Sequence, residues 1–371
     1  MTRPSTHRQP GFRRFGKTWP LLGLLLALAI VAAICNRFGN DQLQVTLTEM
    51  LIRMTVVVGM YLFIGNSGIL SFGHIGFMCI GAYAAAWATV DPSWKQLMLT
   101  GIPDVLQQNQ YPFPLAVAGA GLLAAIVALL LGTAIMRLSG IAASIATFAF
   151  LAIVNSVYSN WETVTAGTSS IIGIPAVVGP WIAFAFAAAT MAIAFLFQIS
   201  RWGLMLRASR DDEVAARSSG VSIVRVRLIA FVISAFLVGV GGALYAHFLG
   251  VLTTDIFYIG LTFVTLSMLV VGGIGSLAGA VVGVVAVTAV VEVLRLFEAG
   301  VPLGGVRLIL PEGSQEIGLG VVMALILIFR PTGLTRGREL VWPFRRRLRS
   351  LPCAAEGPAT AAAAEQQVAV E

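Results

Sequence analysis

Ten apolar runs follow one another along the chain, at about 20–35, 45–64, 70–90, 113–136, 141–160, 181–199, 228–249, 260–280, 281–297 and 316–330. A helix needs roughly 20 mostly apolar residues to cross the hydrocarbon of a bilayer. The succession predicts an all-α protein, a polytopic transmembrane bundle of about 10 helices (8–10). The Gly-rich stretch 260–297 fits two full spans or a re-entrant helix. Composition agrees, since 58% of the 371 residues are hydrophobic and only 11% are charged, against about 25% charged in a soluble domain. Too few charges remain to solvate a soluble surface, so the net charge of +7 does not point to nucleic acid. The same apolar content excludes disorder. Three cysteines (Cys35, Cys79, Cys353), none in a C-x-x-C pair, provide neither a disulfide framework nor a metal site.

Sidedness follows from the basic residues, which collect in cytoplasmic loops. Five precede the first run (Arg3, Arg8, Arg13, Arg14, Lys17), Arg137 follows the fourth, six lie in 200–227 and seven lie from Arg330 onward. With both termini cytoplasmic, 19 of the 24 Lys and Arg fall inside. The first run resembles a signal peptide, yet it is long for one, and the bulky Ile34 precedes Cys35 where a lipoprotein cleavage site wants a small residue. An uncleaved first span is expected. The resulting organisation is a basic cytoplasmic tail at 1–19, a membrane domain at 20–335 containing a cytoplasmic loop at 200–227, and a disordered cytoplasmic tail at 336–371.

Four stretches depart from plain lipid-facing helix. The first is Gly65-Asn66-Ser67-Gly68-Ile69-Leu70-Ser71-Phe72-Gly73-His74-Ile75-Gly76-Phe77. Gly65, Gly68, Gly73 and Gly76 let backbones approach closely or let a helix break. Asn66, Ser67, Ser71 and His74 are costly against lipid, so they belong at a protein interface or along a wet transport path. For His74 a satisfied interhelical hydrogen bond outweighs a proton relay. The second stretch, Thr163–Pro175, is rich in hydroxyls and glycine and reads by composition as a flexible external loop; Thr165, Thr168 and Ser169 are its pathway candidates.

The third stretch, Ser200–Val221, carries helix punctuation. Ser209 with Asp212 fits a capping-box-like start, acids 211–213 suit the positive helix end, Arg217 lies near the other end, and Gly220 suits the stop. A short charged helix of this kind suits docking on a soluble partner. The fourth stretch, Val271–Ala280, concentrates Gly272, Gly273, Gly275 and Gly279 at a sharp turn with close helix contact. With 65–81 it hints at paired broken elements in the two halves, as in transporters built from repeats.

The chain lacks a Walker A motif, H-E-x-x-H, G-x-S-x-G and any clustered Cys/His site. Glu49 and Arg53 look like a local i,i+4 pair near the outer end of the second run, and Glu292 and Arg295 lie near the outer end of theirs. No acid stands out at mid-depth, so an energy source outside the chain is expected.

The motif at 65–77 resembles the signature of LivM-type permeases of branched-chain amino acid ABC importers, as does Gly167-Thr168-Ser169-Ser170-Ile171-Ile172-Gly173-Ile174-Pro175. The segment from Arg207 to Arg217 with Gly220 is similar to that family's loop for the ATPase subunit; Ala230–Phe236, Gly241–His247 and 272–279 complete the series over roughly 45–335. The resemblance implies a permease subunit in a bacterial inner membrane, without an ATPase site or cofactor of its own. It implies a homologous second permease, two ATPase subunits that hydrolyse ATP, and an extracytoplasmic binding protein. It also implies that Arg207, Arg210, Asp211, Asp212, Glu213, Ala215, Ala216, Arg217 and Gly220 couple the chain to the ATPase. Ser169-Ser170 stand where the family often has Asn or Asp with glycine, which leaves room for urea, short amides or aromatic acids as substrate. A self-sufficient ion-coupled carrier is the competing class.

Overall fold

The computed structural model describes residues 19–299, 301–303, 306–308, 314–330 and 333–335. The basic tail through residue 18 and the tail 336–371 lie outside the described residues, all of which fall in one compact unit ending at Leu340. In chain order the elements are α1 (Trp19–Phe38), α2 (Asp41–Ser67), α3 (His74–Thr89), α4 (Pro92–Met98), α5 (Asp104–Gln108), α6 (Phe113–Ile135), α7 (Ile141–Asn160), α8 (Glu162–Thr165), β1 (Ile171–Ile172) and α9 (Pro180–Ile199). There follow α10 (Arg201–Asp211), α11 (Glu213–Ser218), α12 (Ile223–Leu249), β2 (Val251–Leu252), α13 (Ile259–Gly272), α14 (Leu277–Ala299), β3 (Val301–Leu303), β4 (Val306–Leu308) and α15 (Ser314–Phe329).

Each apolar run is a helix, and six helices among the described residues are long and apolar enough to cross a bilayer: α2, α6, α7, α9, α12 and α14. The stretch 260–297 breaks earlier than its hydropathy suggests, at 273–276, because Gly273 takes a positive φ of 117° and ends α13. With 14 residues, α13 rises about 21 Å at 1.5 Å per residue, short of the roughly 30 Å hydrocarbon core. Local chemistry sets the other ends. Pro114 and Pro180 open α6 and α9, where no intrahelical donor is lost. Gly68 at φ 74° closes α2, its N–H bonding Ile64 O at 2.9 Å.

Burial divides the helices into two sets. In α2, 89% of the most apolar window is buried, and in α12 61%, whereas α6, α7 and α9 reach 28–39%. The outer helices turn leucines such as Leu115, Leu122, Leu129 and Leu196 outward, as lipid-facing surfaces do. The inner helices meet through small residues. A Cβ on Gly242 of α12 would lie 2.0 Å from Met78 O of α3, and one on Gly81 would lie 2.2 Å from Gly239 O. Only glycine permits that approach of backbones. Phe63, Phe77 and Phe231 bring α2, α3 and α12 together, with ring centroids 5.2–5.3 Å apart for Phe231 and its two neighbours.

Candidate functional site

Three of the singled-out stretches meet at one end of the bundle. Arg210 of α10 donates from Nη1 to Gly65 O at 2.8 Å, a carbonyl in the last turn of α2. A guanidinium there meets the negative end of the helix dipole. The arginine stem lies over Gly68, where a Cβ would come 2.6 Å from Arg210 Cγ. The fourth stretch arrives from the other side, since a Cβ on Gly65 would sit 2.7 Å from Ile274 O. The 273–276 turn is itself clamped. Ser276 Oγ accepts the Gly279 N–H at 2.9 Å and so caps α14, and the Thr335 hydroxyl donates to Gly272 O at 2.9 Å. Gly272 and Gly279 pass in contact, a Gly272 Cβ lying 1.9 Å from Gly279 O, while Gly275 is exposed at the tip of the turn.

The polar residues of 65–77 are buried and internally bonded. Asn66 Nδ2 donates to Leu62 O at 2.9 Å, and Ser67 Oγ accepts the Ile69 N–H at 3.2 Å. Ser234 Oγ donates to Gly59 O at 2.7 Å, so it accepts from His74 Nε2–H at 2.8 Å, which leaves His74 Nδ1 to accept from the Ser71 hydroxyl at 2.8 Å. Neutral His74 thus braces α2, α3 and α12 inside an aromatic shell, with both ring nitrogens used. Gly73 and Gly76 seat α7 against α3: a Cβ on either would meet Thr147 O at 2.6 Å or the Phe150 ring at 3.0 Å.

The loop 200–222 forms two helices where one was expected. Ser200 caps α10, its Oγ accepting from Gly203 N at 3.3 Å. Asp212 caps α11 by accepting from Val214 N at 2.8 Å and Ala215 N at 3.0 Å. Ser209 is therefore not a cap. It is buried inside α10 with its hydroxyl on Leu206 O, because the chain is still helical there. Gly220, at φ 83°, does terminate the unit. Glu213 is gripped by Arg217 at 2.8 Å and by the buried Arg227 of α12 at 3.0 Å. Burial raises the Glu213 carboxyl, but the hydrogen bonds and charges of Arg227 and Arg217 outweigh it and hold the pKa below its ordinary value. Arg207 turns back to Gln198 O at 2.5 Å. Asp211, Asp212, Val214, Ala215 and Arg217 form the exposed face, whereas Ala216 is buried and supports that face from beneath.

The opposite end carries 92–112, 162–179 and 250–258. The hydroxyl-rich stretch there is held, contrary to its reading as a flexible loop. Ile171 and Ile172 pair with Leu252 and Val251, and the Thr254 hydroxyl donates to Gly167 O at 3.0 Å. Thr165 is buried, its hydroxyl on Tyr158 O and Trp161 O, while Thr168 and Ser169 are exposed. A cavity of about 630 Å³ opens nearby, lined by residues including Trp87, Ile102, Leu115, Leu123 and Trp161 and by no charged side chain. Thr165, Thr168 and Ser169 do not line it. Glu49 and Arg53 do pair, Nη2 to Oε1 at 2.5 Å. Among the described residues no three His, Cys, Asp or Glu gather to hold a metal.

Sequence reasoning passed over Ser234 and Arg227 as functional positions, though each is a polar residue in or beside an apolar run. That signal was available. The helix α2 also begins four residues before its apolar run, at Asp41 in polar sequence.

A model of the family described as branched-chain amino acid transport system / permease component matches residues 43–329. The chain is 28% identical to the high-affinity branched-chain amino acid transport system permease protein LivM of Escherichia coli (strain K12), over 84% of this chain and 74% of that protein. It is 25% identical to the probable branched-chain amino acid transport permease protein LivM of Methanocaldococcus jannaschii, over 45% of this chain and 51% of that one. The permease protein LivH of the same E. coli strain is 36% identical over 26% of this chain and 30% of its own length. No solved structure matches the chain. The chain belongs to the permease components of branched-chain amino acid transport systems and is a multi-pass membrane permease of the ABC importer class.

Proposed function

We propose that the chain is one of two homologous permeases in a bacterial inner-membrane importer that takes up branched-chain amino acids at the expense of ATP. One of two ATPase subunits docks on the exposed face of α10–α11 and the other on the second permease, and the pair hydrolyses the nucleotide; an extracytoplasmic binding protein delivers substrate to the opposite end. All ten apolar helices cross or enter the membrane, and both termini lie in the cytoplasm. The basic residues of 200–227 then fall on the cytoplasmic side.

The observation that carries this reading is the junction of Arg210 with Gly65 and Ile274. A push on α10–α11 reaches the end of α2 through a charge-assisted hydrogen bond, and reaches the α13–α14 turn through backbone contact. Alternating access needs such a two-state element driven from outside the chain. Asn66, Ser67, Ser71 and His74 act here by holding α2, α3 and α12 as one moving body, and Thr168 and Ser169 face arriving substrate.

The test is uptake in proteoliposomes containing the co-purified complex, with binding protein and ATP. Accumulation of L-leucine, L-isoleucine or L-valine that stops without ATP is the expected result. Uptake by this chain alone would support a self-sufficient carrier, and selective uptake of urea or a short amide would move the substrate class within the family.

A further inference from the structure

We propose that Glu49 and Arg53 form a charge-reading site in the transport path, where Arg53 takes the carboxylate and Glu49 the ammonium of an α-amino acid. This rests on the amino-acid importer reading above. From Leu47 to Ser67 every residue of α2 is buried except these two. Their side chains keep 18% (Arg53) and 26% (Glu49) of their surface, so beyond the more open first turns at 41–46 the uncovered part of this helix is an ion pair. Arg53 lies 14 residues before the end of α2 at Ser67, about 21 Å at 1.5 Å per residue, well within a hydrocarbon core of about 30 Å. Half-open charges at that depth do not face lipid; they face a wet cavity or another polar surface.

The chemistry fits a zwitterion. Arg53 Nε is buried and has no partner, so the N–H beside the Nη2 that holds Glu49 is unpaired and meets an arriving carboxylate once the side chain turns toward the opening. A guanidinium with a free edge accepts a carboxylate bidentately. Glu49, one turn away on the same face, then receives the ammonium. The substrate's two charges replace the two of the ion pair, so neither protein charge is left unpaired in a low-dielectric setting. Neighbouring groups keep the site polar. Thr46 donates to Glu292 Oε2 of α14 at 3.4 Å, and Tyr245 of α12 lies within electrostatic range of both charges. The apolar cavity near Trp87 and Trp161 offers no charged group to a zwitterion.

The experiment uses the complete importer in proteoliposomes with its binding protein and L-leucine. Uptake by the wild-type complex comes first, and its absence overturns the amino-acid reading without bearing on the pair. Given wild-type uptake, the double variant Glu49→Gln/Arg53→Gln, which keeps shape and hydrogen bonding but removes both charges, is expected to lose about tenfold or more of the uptake rate. Its assembly, read by co-purification of the subunits, should match wild type. Uptake at half the wild-type rate or better overturns the site, since a merely structural pair tolerates neutral replacement. If the double variant does not assemble, Glu49→Cys in a chain with Cys35, Cys79 and Cys353 replaced by serine decides. Labelling by a charged methanethiosulfonate reagent, slowed by L-leucine-loaded binding protein, is expected. No labelling in either the nucleotide-free or the vanadate-trapped complex overturns the proposal and assigns the pair to a subunit interface.

Discussion

The two halves of α2 are built on opposite principles. Its last turns are closed: Gly59 packs on Val238, Gly65 on Ile274 O, and Gly68 lies under the Arg210 stem, with no room for a Cβ at Gly65 or Gly68. Its first half carries the partly exposed Glu49–Arg53 ion pair, with Thr46 bonded to Glu292 of α14. Close backbone contacts lock neighbouring segments into one displacement, because small shifts in a tightly packed contact are resisted steeply. Charges with residual exposure mark where the bundle opens. On the proposed mechanism, one rigid helix joins the end that would receive the push to the half that would open, about 20–30 Å away along its axis.

The packed half breaks most severely if a side chain is forced into it. Gly65→Val is expected to cost roughly 3 kcal/mol, because the new methyls meet backbone at Ile274. Thermal unfolding of the purified complex measures this, with Gly119→Val as the control, since nothing lies within 4 Å of that glycine. Arg210→Ala removes a hydrogen bond from a charged donor to Gly65 O and should cost about 1.5 kcal/mol. It should also lower substrate moved per ATP hydrolysed, and Arg210→Lys should recover part of both. Equal coupling in Arg210→Ala and wild type would sever the packed end from the motor.

Asp212→Ala should destabilise α11 by about 1 kcal/mol, read as faster amide exchange at Val214 and Ala215, with Asp212→Asn close to wild type. In the open half, Thr46→Val gives up only a long 3.4 Å hydrogen bond and should cost about 0.5 kcal/mol. A larger cost would mean that this half is as tightly held as the other. The smallest effect is a pH dependence at Glu213. Its folded pKa is lowered, so the attachment of α11 to α12 is fully present above the ordinary value of 4.5 and is lost as pH falls through the lower folded value. Exchange at the α11 amides, taken relative to the intrinsic unprotected rate at each pH, should stay constant from pH 8 to about 5 and rise only in acid. An earlier rise would show that Arg227 and Arg217 do not hold the carboxylate.

Much of this was legible in the chain. Apolar run lengths named the helices, because helix rise and bilayer thickness leave little freedom. Glycine at 68 and 220 announced helix ends, because only glycine takes the left-handed backbone there cheaply. The cap at 209 was misplaced, since Ser200, Ser209 and Asp212 are all competent caps and a short motif does not say which turn is already helical. The stretch 163–175 looked flexible because its order comes from pairing with Leu252 and Thr254, some 80 residues away.

By itself the sequence determined that the chain fills a bilayer, which end of each span carries the basic residues, and which residues are too polar for lipid. Periodicity, length and charge are local quantities, and they survive without a fold. Only the tertiary structure decided what those polar residues meet. It turned His74 inward onto Ser71 and Ser234, set Arg210 on the end of α2, and left Glu49 and Arg53 as the uncovered pair within the otherwise buried stretch Leu47–Ser67. Partners distant in sequence are chosen by how helices pack, and one residue's type does not encode which neighbour closes over it.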